Sequence, residues 1–258
     1  MALSLKYRRI LNRMEYYEYQ RGLIYHHLSE RGGWNSHLKR CREFILKAVD
    51  YYKPSIVTVL GSGWLLDFPL SEIAGSVSRI NLVDIVHPPE VKDQIAGMKN
   101  VVLREEDISG GLILEVWNKA RRRIFFNKLR SFDAIQIHDY KPDFDPGLIV
   151  SLNILTQLES MPVAFLRKRS SLNEEKFTEL RKNIQAGHIR FLCKHKSVLI
   201  TDLAEIITED SGKVREIPSL LTELPEGKLK EEWTWNFDLE KSDYFTQRSI
   251  FKVAAIIL

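Results

Sequence analysis

Four features of this chain have the residue types and spacing that chemistry requires: Gly61-Ser62-Gly63, Asp84, the acidic run Glu105-Glu106-Asp107, and Asn153. Glycine accepts positive φ and lets the backbone come close to a ligand, so Gly-x-Gly after an apolar run makes a contact turn. A carboxylate about twenty residues further on, ending a second apolar run, is placed to accept hydrogen bonds from ribose hydroxyls. Asn153 closes another apolar run, where open α/β sheets bind ligands, and Gln157 lies one helical turn beyond it. Together these are the parts of a nucleoside site. His87, His138, Asp139 and Tyr140 fall near the ends of apolar runs and are candidates for a general base, although such residues more often serve loops or cores. Gly-x-Ser-x-Gly, phosphate-loop and Cys-x-x-Cys patterns are absent, which argues against serine hydrolase, nucleotide phosphatase and zinc-ribbon chemistry. His26, His27, His188 and His195 show no metal-ligand spacing, so no metal is expected.

Hydrophobic periodicity names the elements that must hold these residues. Ile56-Val57-Thr58-Val59-Leu60 reads as a buried parallel strand and Ile80-Asn81-Leu82-Val83-Asp84 as a second. Between them, Leu65, Leu66, Phe68, Leu70, Ile73, Ala74 and Val77 have helical spacing. Val91, Ile95 and Met98 mark a further helix, Val101-Val102-Leu103 a third strand, and the residues from Arg104 an acidic loop. Gly110-Gly111 introduces a helix through Leu112, Val116 and Ala120, which turns basic at Arg121-Arg122-Arg123. Residues 147–152 predict the central fourth strand. Residues 132–138 then predict an edge strand or hairpin partner, because parallel neighbours need a dozen or more linking residues. Pro162 and Arg167-Lys168-Arg169 read as a connection, with Ser171 or Asn173 capping a helix through Phe177, Leu180 and Ile184. Residues 197–202 predict a fifth strand and residues 209–228 a loop. Residues 232–237 and 249–256 alternate cleanly and predict a terminal antiparallel pair joined by a polar turn.

Upstream, residues 3–28 carry a helical stripe broken at Arg21, and Asn35 or Ser36 can cap a second helix that stops before Pro54. The expected organisation is an N-terminal helical extension, residues 1–53, followed by a Rossmann-like α/β domain, residues 54–258. Its doubly wound sheet is mostly parallel, with an antiparallel C-terminal hairpin. The first fifty residues hold clearly more Lys and Arg than Asp and Glu; a solvated helix face is the favoured reading and a polyanion-binding face the next.

Composition sets the outer bounds. With 258 residues, 44% apolar and 28% charged, the chain can bury a large core. A net charge of +4 is too mild for a dedicated nucleic-acid binder, so a small-molecule acceptor is favoured over a nucleic-acid partner. Cys41 and Cys193 form no disulfide framework or metal pattern, and the first residues lack the apolar core of a signal peptide. No apolar run is long enough to span a bilayer. A cytoplasmic protein without membrane partners is expected; oligomeric state is left open.

The order of Gly61-Ser62-Gly63, Asp84, Glu106-Asp107, Asn153 and the terminal hairpin resembles the class I S-adenosyl-L-methionine-dependent methyltransferases over roughly residues 54–258. That resemblance implies S-adenosylmethionine as cofactor. It also implies Gly61 and Gly63 under the methionine part, Asp84 on the ribose hydroxyls and Asp107 on the adenine amine, with Ser62, Ile85, Ile108 and Asn153 beside them. The sequence departs from the family where Trp64-Leu65-Leu66 replaces a third glycine, and where Asn153 is not followed by the Pro-Pro-Tyr of amino-group methylation. A fainter resemblance to nicotianamine synthases leaves open whether methyl or aminopropyl is transferred. The expected function is therefore an S-adenosylmethionine-dependent transferase, most simply a methyltransferase. A non-catalytic binding protein of the same fold and an NAD-dependent dehydrogenase are the alternatives.

Overall fold

The computed structural model describes residues 3–123, 127–242 and 247–258. Five strands, β1 (Ile56–Leu60), β2 (Arg79–Asp84), β3 (Val101–Glu105), β4 (Leu148–Leu152) and β5 (Ser197–Glu209), form a parallel block in the order β3-β2-β1-β4-β5. The sheet continues antiparallel through β8 (Gln247–Ile257) to β7 (Leu229–Asp238), while β6 (Val214–Pro218) pairs with the distal half of β5. This is the Rossmann-like, doubly wound α/β arrangement with an antiparallel C-terminal pair. The strand order reverses between β1 and β4, so a crevice opens at their carboxyl ends.

Alternation along each strand sends side chains to two covered faces. Leu60, Val83, Ile149 and Leu199 face a core built with α1 (Leu5–Arg13), α6 (Leu112–Ala120), α7 (Ser160–Arg167) and α8 (Glu174–Leu192). Val57, Val59, Ile80, Leu82 and Val150 face the other, built with α3 (Asn35–Tyr52), α4 (Leu70–Ala74) and α5 (Pro89–Gln94). α2 (Tyr16–Ser29) follows α1 after a sharp reversal and lies over the carboxyl edge of the sheet. Among the described residues no helix is long and apolar enough to cross a membrane.

Several local expectations give way to stronger constraints. The break in the N-terminal stripe falls at Glu15, which takes φ +66°, and Arg21 lies inside α2. Asn35 and Ser36 are helical residues, preceded by Trp34 without a side-chain cap. The expected helix over residues 65–77 shrinks to α4, because Leu65 sits at φ +60° and the residue before Pro69 is biased away from helix. α5 stops at Gln94, short of Met98, and β3 runs on through Arg104 and Glu105. Residues 132–138 form no strand; they cross the helix layer, tied by Tyr140 donating to Glu106 (2.6 Å) and by the close approach of the His138 carbonyl to Gly110. Pro162 is the third residue of α7, where a missing N–H costs nothing, so the expected connection is a helix. Residues 214–218 pair as β6 although every one is exposed, which leaves no alternation to read. Of the polar turn expected between β7 and β8, residues 243–246 lie outside the described residues, as do Met1 and Ala2.

One buried acid is left poorly compensated by this packing. Glu159, 1% exposed, accepts from Arg181 (3.2 Å) and Gln185 (3.0 Å) through Oε1, while Oε2 has no partner. Burial pushes its pKa from 4.5 up to about 7 against the pull of Arg181 and Gln185. A raised carboxyl penalises the folded state once ionised: the penalty is absent below the unfolded value and complete above the folded one. Glu159→Gln is therefore expected to stabilise the protein by roughly 2–3 kcal/mol at pH 8 and by almost nothing near pH 4.5. Urea unfolding at the two pH values checks this; an equal effect at both would refute it.

Candidate functional site

At the carboxyl ends of β1, β2 and β4 the chain encloses a cavity of about 140 Å³ that opens to the surface. Gly61, Ser62, Gly63, Asp84, Ile85 and Asn153 all line it, as does Gln157. Positive φ at Gly61 (+79°) and Gly63 (+47°) turns the backbone sharply off β1. A Cβ on Gly61 would come within 2.6 Å of the Ile154 Cβ, so the glycine lets this turn close against the end of β4.

Asp84 fixes the turn from the neighbouring strand. Its Oδ2 accepts the Gly63 N–H at 2.8 Å, and its Oδ1 accepts the N–H groups of Ile85 (2.7 Å) and Val86 (3.4 Å). Burial raises the pKa of this carboxyl, opposed by His87 and by the three backbone donors. A carboxylate offers about four acceptor positions, so one on Oδ2 is left for a ligand hydroxyl.

Asp107 and Ile108 are not brought to this cavity. The Asp107 carboxylate accepts from the Tyr7 hydroxyl (2.9 Å), the Ser109 N–H (2.9 Å) and the Ser109 hydroxyl, and Ile108 packs in the core. Tyr16 lies near both Asp84 and Asp107 and lines the cavity between them; burial and the two carboxylates push its phenol well above the ordinary range. The base candidates are likewise elsewhere. His87 faces the Arg104 carbonyl (3.1 Å), Asp139 pairs with Lys194 (3.1 Å) at the surface, Tyr140 donates to Glu106, and His138 lines a separate crevice.

Sequence reasoning missed a second polar group on the cavity wall. Asn153, at φ +50°, donates through Nδ2 to Asp67 Oδ2 at 2.8 Å and lies 3.1 Å from His37 Nε2. His37 and Cys41 stand one turn apart on α3, with Sγ 3.5 Å from Nε2. The donor atoms of His37, Cys41 and Asp67 lie within 4.8 Å of one another, close enough to suggest a metal site. The tautomer opposes this. The Trp233 indole N–H donates to His37 Nδ1 at 3.1 Å, so in the neutral ring Nε2 carries the proton and offers no lone pair to a metal. Burial pushes His37 down to about 3 and raises both Cys41 and Asp67, so the imidazole is neutral and the thiol protonated at neutral pH. The His37-x-x-x-Cys41 spacing was the available signal; nothing in the sequence tied it to Asp67.

The N-terminal helices complete the enclosure. Tyr16, Tyr19, Gln20 and Leu23 of α2 and His37 and Leu38 of α3 line the cavity, and the Trp64 indole N–H pins α2 by donating to the Gln20 carbonyl at 2.9 Å. Trp64 thus forms wall without filling the turn. Among the described residues the lining holds two carboxylates, Asp67 and Asp84, and no Lys or Arg.

Fold and cavity together define a Rossmann-like α/β protein with one enclosed polar-apolar pocket at its topological switch point. No family model matches the chain, and no curated protein does. Solved structures resemble it only distantly. They include DhpI in complex with SAH (10% identity over 88% of this chain and 96% of that one, TM-score 0.29) and the methyltransferase domain of bacterial CtHen1 (12% identity, 84% and 98%, TM-score 0.32). A precorrin-8W decarboxylase from Methanobacterium thermoautotrophicum is similar at 15% identity (81% and 87%, TM-score 0.27). Such values carry no argument about ligand or activity, and the fold stands on the strand order alone.

The two glycines should respond differently to a methyl group. Gly61→Ala meets both positive φ and the Ile154 contact and is expected to cost about 2 kcal/mol or more. Gly63→Ala meets nothing closer than 3.9 Å and should cost only the left-handed penalty of about 1 kcal/mol. Chemical denaturation of both variants tests the ranking, and a costlier Gly63 change would contradict it.

Proposed function

We propose that this protein is an S-adenosylmethionine-dependent transferase, in the simplest form a methyltransferase, acting on a small-molecule acceptor. The observation that carries the reading is Asp84. It stands at the end of β2 on the cavity floor, locked to the Gly61-Ser62-Gly63 turn, with one acceptor position free. Charge supports the cofactor: a cationic sulfonium without phosphate suits a lining with two carboxylates and no Lys or Arg. The antiparallel β8-β7 pair beyond β5 is the arrangement the methyltransferase resemblance implies, whereas NAD-binding sheets usually continue parallel. A dinucleotide also needs free turn amides and a helix N-terminus for its pyrophosphate. Here the Gly63 amide is taken by Asp84, and α4 begins only at Leu70.

In this reading residues 54–258 carry the cofactor, and the extension, residues 1–53, closes the pocket. Gly61, Ser62 and Gly63 lie beneath the methionine part, Asp84 holds a ribose hydroxyl and Ile85 flanks the nucleoside. Asp107 and Ile108 support that end from behind, Asp107 acting through Tyr7. S-adenosylmethionine when bound supplies an electrophilic carbon on sulfur. The chain aligns the acceptor for in-line attack and removes its proton. Asp67 is the group placed to take that proton: its carboxylate faces the cavity, burial raises its pKa toward the working range, and Asn153 orients it. Trp34, Leu38, Met161 and Trp235 supply apolar surface for the body of the acceptor.

A binding protein of the same fold without chemistry is the second reading, favoured by Tyr16, which stands between Asp84 and Asp107 where the nucleoside would extend. Titration calorimetry with S-adenosylmethionine, S-adenosylhomocysteine and NAD separates the readings: the first two should bind and NAD should not, and silence toward both sulfur nucleosides sinks the proposal. Asp84→Ala, confirmed folded by thermal melting, should weaken binding by about 1–3 kcal/mol. Asp67→Asn should leave cofactor affinity intact but abolish turnover; loss of affinity instead would remove Asp67 from the role of base.

A further inference from the structure

α1 has two unlike faces. Its inner face, Ile10 and Leu11 with Met14 just beyond, is fully packed in the core. Its outer face carries Lys6, Arg9 and Arg13 at spacings of three and four, so the cations line up along the helix. Beside them runs a groove of about 530 Å³, closed on the far side by the C-terminal end of α6 with Trp117 and Arg121, and floored by Tyr17. Among the described residues five cations surround this groove and no carboxylate lines it. Among the described residues only Arg8 of the five is ion-paired, to Glu105 at 3.0 Å; Arg13 lies over the Trp117 ring at 5.8 Å.

Local helix energetics account for part of this. Arg13 and Arg121 sit at helix C-termini, where the dipole favours cations. Lys6 sits in the first turn of α1, where the same dipole disfavours it, Arg9 stands at mid-helix where the dipole gives it nothing, and neither gains an ion pair among the described residues. Concentrating positive charge around a hollow raises the local potential and destabilises the fold unless an anion offsets it. The composition is regional: residues 1–50 hold ten Lys and Arg against five acids.

We infer that the α1–α6 groove binds the phosphodiester backbone of single-stranded nucleic acid. Three cations spaced one helical turn apart present charge at intervals of about 5 Å, the same order as the step between successive phosphates of an extended strand. Guanidinium forks take phosphate oxygens two at a time, and Tyr17 gives a base a ring to lie against. A membrane surface fits less well. Apart from the exposed Leu5, the apolar residues of α1 are spent in the core, too little remaining to enter a bilayer, and cations recessed around a hollow do not meet a flat headgroup layer together. The groove shares no lining residue with the cavity at the sheet edge, so the inference stands whatever that cavity binds.

Fluorescence anisotropy with labelled oligo-uridylate and oligo-thymidylate of about twenty nucleotides tests it on the full chain. Binding at low salt should weaken steeply between about 50 and 200 mM salt, with a log–log slope near −3. Lys6→Ala, Arg9→Ala and Arg121→Ala combined should cost at least about tenfold and flatten the slope by about two. A control changing the exposed Lys92, Lys182 and Lys213 to Ala should change neither. Equal affinity for the two oligomers means backbone recognition alone, and preference for either adds base or sugar contacts; both support the assignment. No binding at low salt, equal loss in the control, or capture of phosphatidylserine vesicles but not oligomers through the same three cations would overturn it. The single change Arg9→Glu carries the same readout should the triple variant not fold.

Discussion

The Asp84 carboxylate is the interaction on which the rest of the site depends. It gathers backbone N–H groups from two places in the chain, Gly63 on the turn after β1 and Ile85 and Val86 after its own strand. A turn with two residues at positive φ has little internal reason to hold one shape, and a charged acceptor at 2.8 Å supplies that reason. The same bond decides what the turn can bind. An amide committed to a carboxylate is closed to phosphate, and the negative charge it anchors favours hydroxyl or cationic ligands. Fold and selectivity thus follow from one side chain.

The N-terminal helices are coupled to that edge by polar contacts of the same kind. Tyr7 donates to Asp107, Arg8 and the Leu3 N–H meet Glu105, and Trp64 reaches the Gln20 carbonyl. Each contact joins α1 or α2 to a loop or strand end on the carboxyl side of the sheet. The acidic run after β3 is therefore engaged in holding the helices down. Asp107, the acid that the resemblance assigns to adenine, is instead held by a tyrosine, and Tyr16 lies near both it and Asp84.

The parallel strands and the terminal antiparallel pair were legible because their signal is strong. Buried parallel strands such as Ile56–Leu60 and Leu148–Leu152 are mostly apolar runs, whereas β8, expected to alternate, ends in five consecutive buried residues between β5 and β7. The turn and its acid were legible for the same reason, since both are fixed by where those strands end. What failed was local. Residues 132–138 alternate like a strand, yet their backbone closes a local turn, with the Ile135 N–H on the Phe132 carbonyl, and no ladder forms. β6 has no buried face, so its pairing with β5 is dictated by the hairpin and not by side chains. Asp67 escaped notice because it lies in an irregular loop, and only tertiary packing gives it Asn153 from the end of β4 and His37 and Cys41 from α3 as neighbours. Periodicity reports which residues face a core; it does not report which polar residues meet across one.

The electrostatic layout carries the last step. The cavity holds two carboxylates without a basic residue, and the groove holds five cations without a lining acid. Tyr16 and Tyr17, consecutive at the start of α2, line the cavity and the groove respectively. A single helical turn therefore separates two fields of opposite sign. Free mixing would have neutralised both: the cations of α1 lie near enough to Glu105 for Arg8 to pair with it, yet Lys6, Arg9 and Arg13 point outward. Keeping the signs apart costs self-repulsion, which backbone amides offset at Asp84, Asn153 offsets at Asp67, and Glu105 offsets only at Arg8. A cationic or polyhydroxyl ligand at the sheet edge and a polyanion along α1, as proposed above, would offset the remainder. The division of charge is in that sense better explained by binding than by folding.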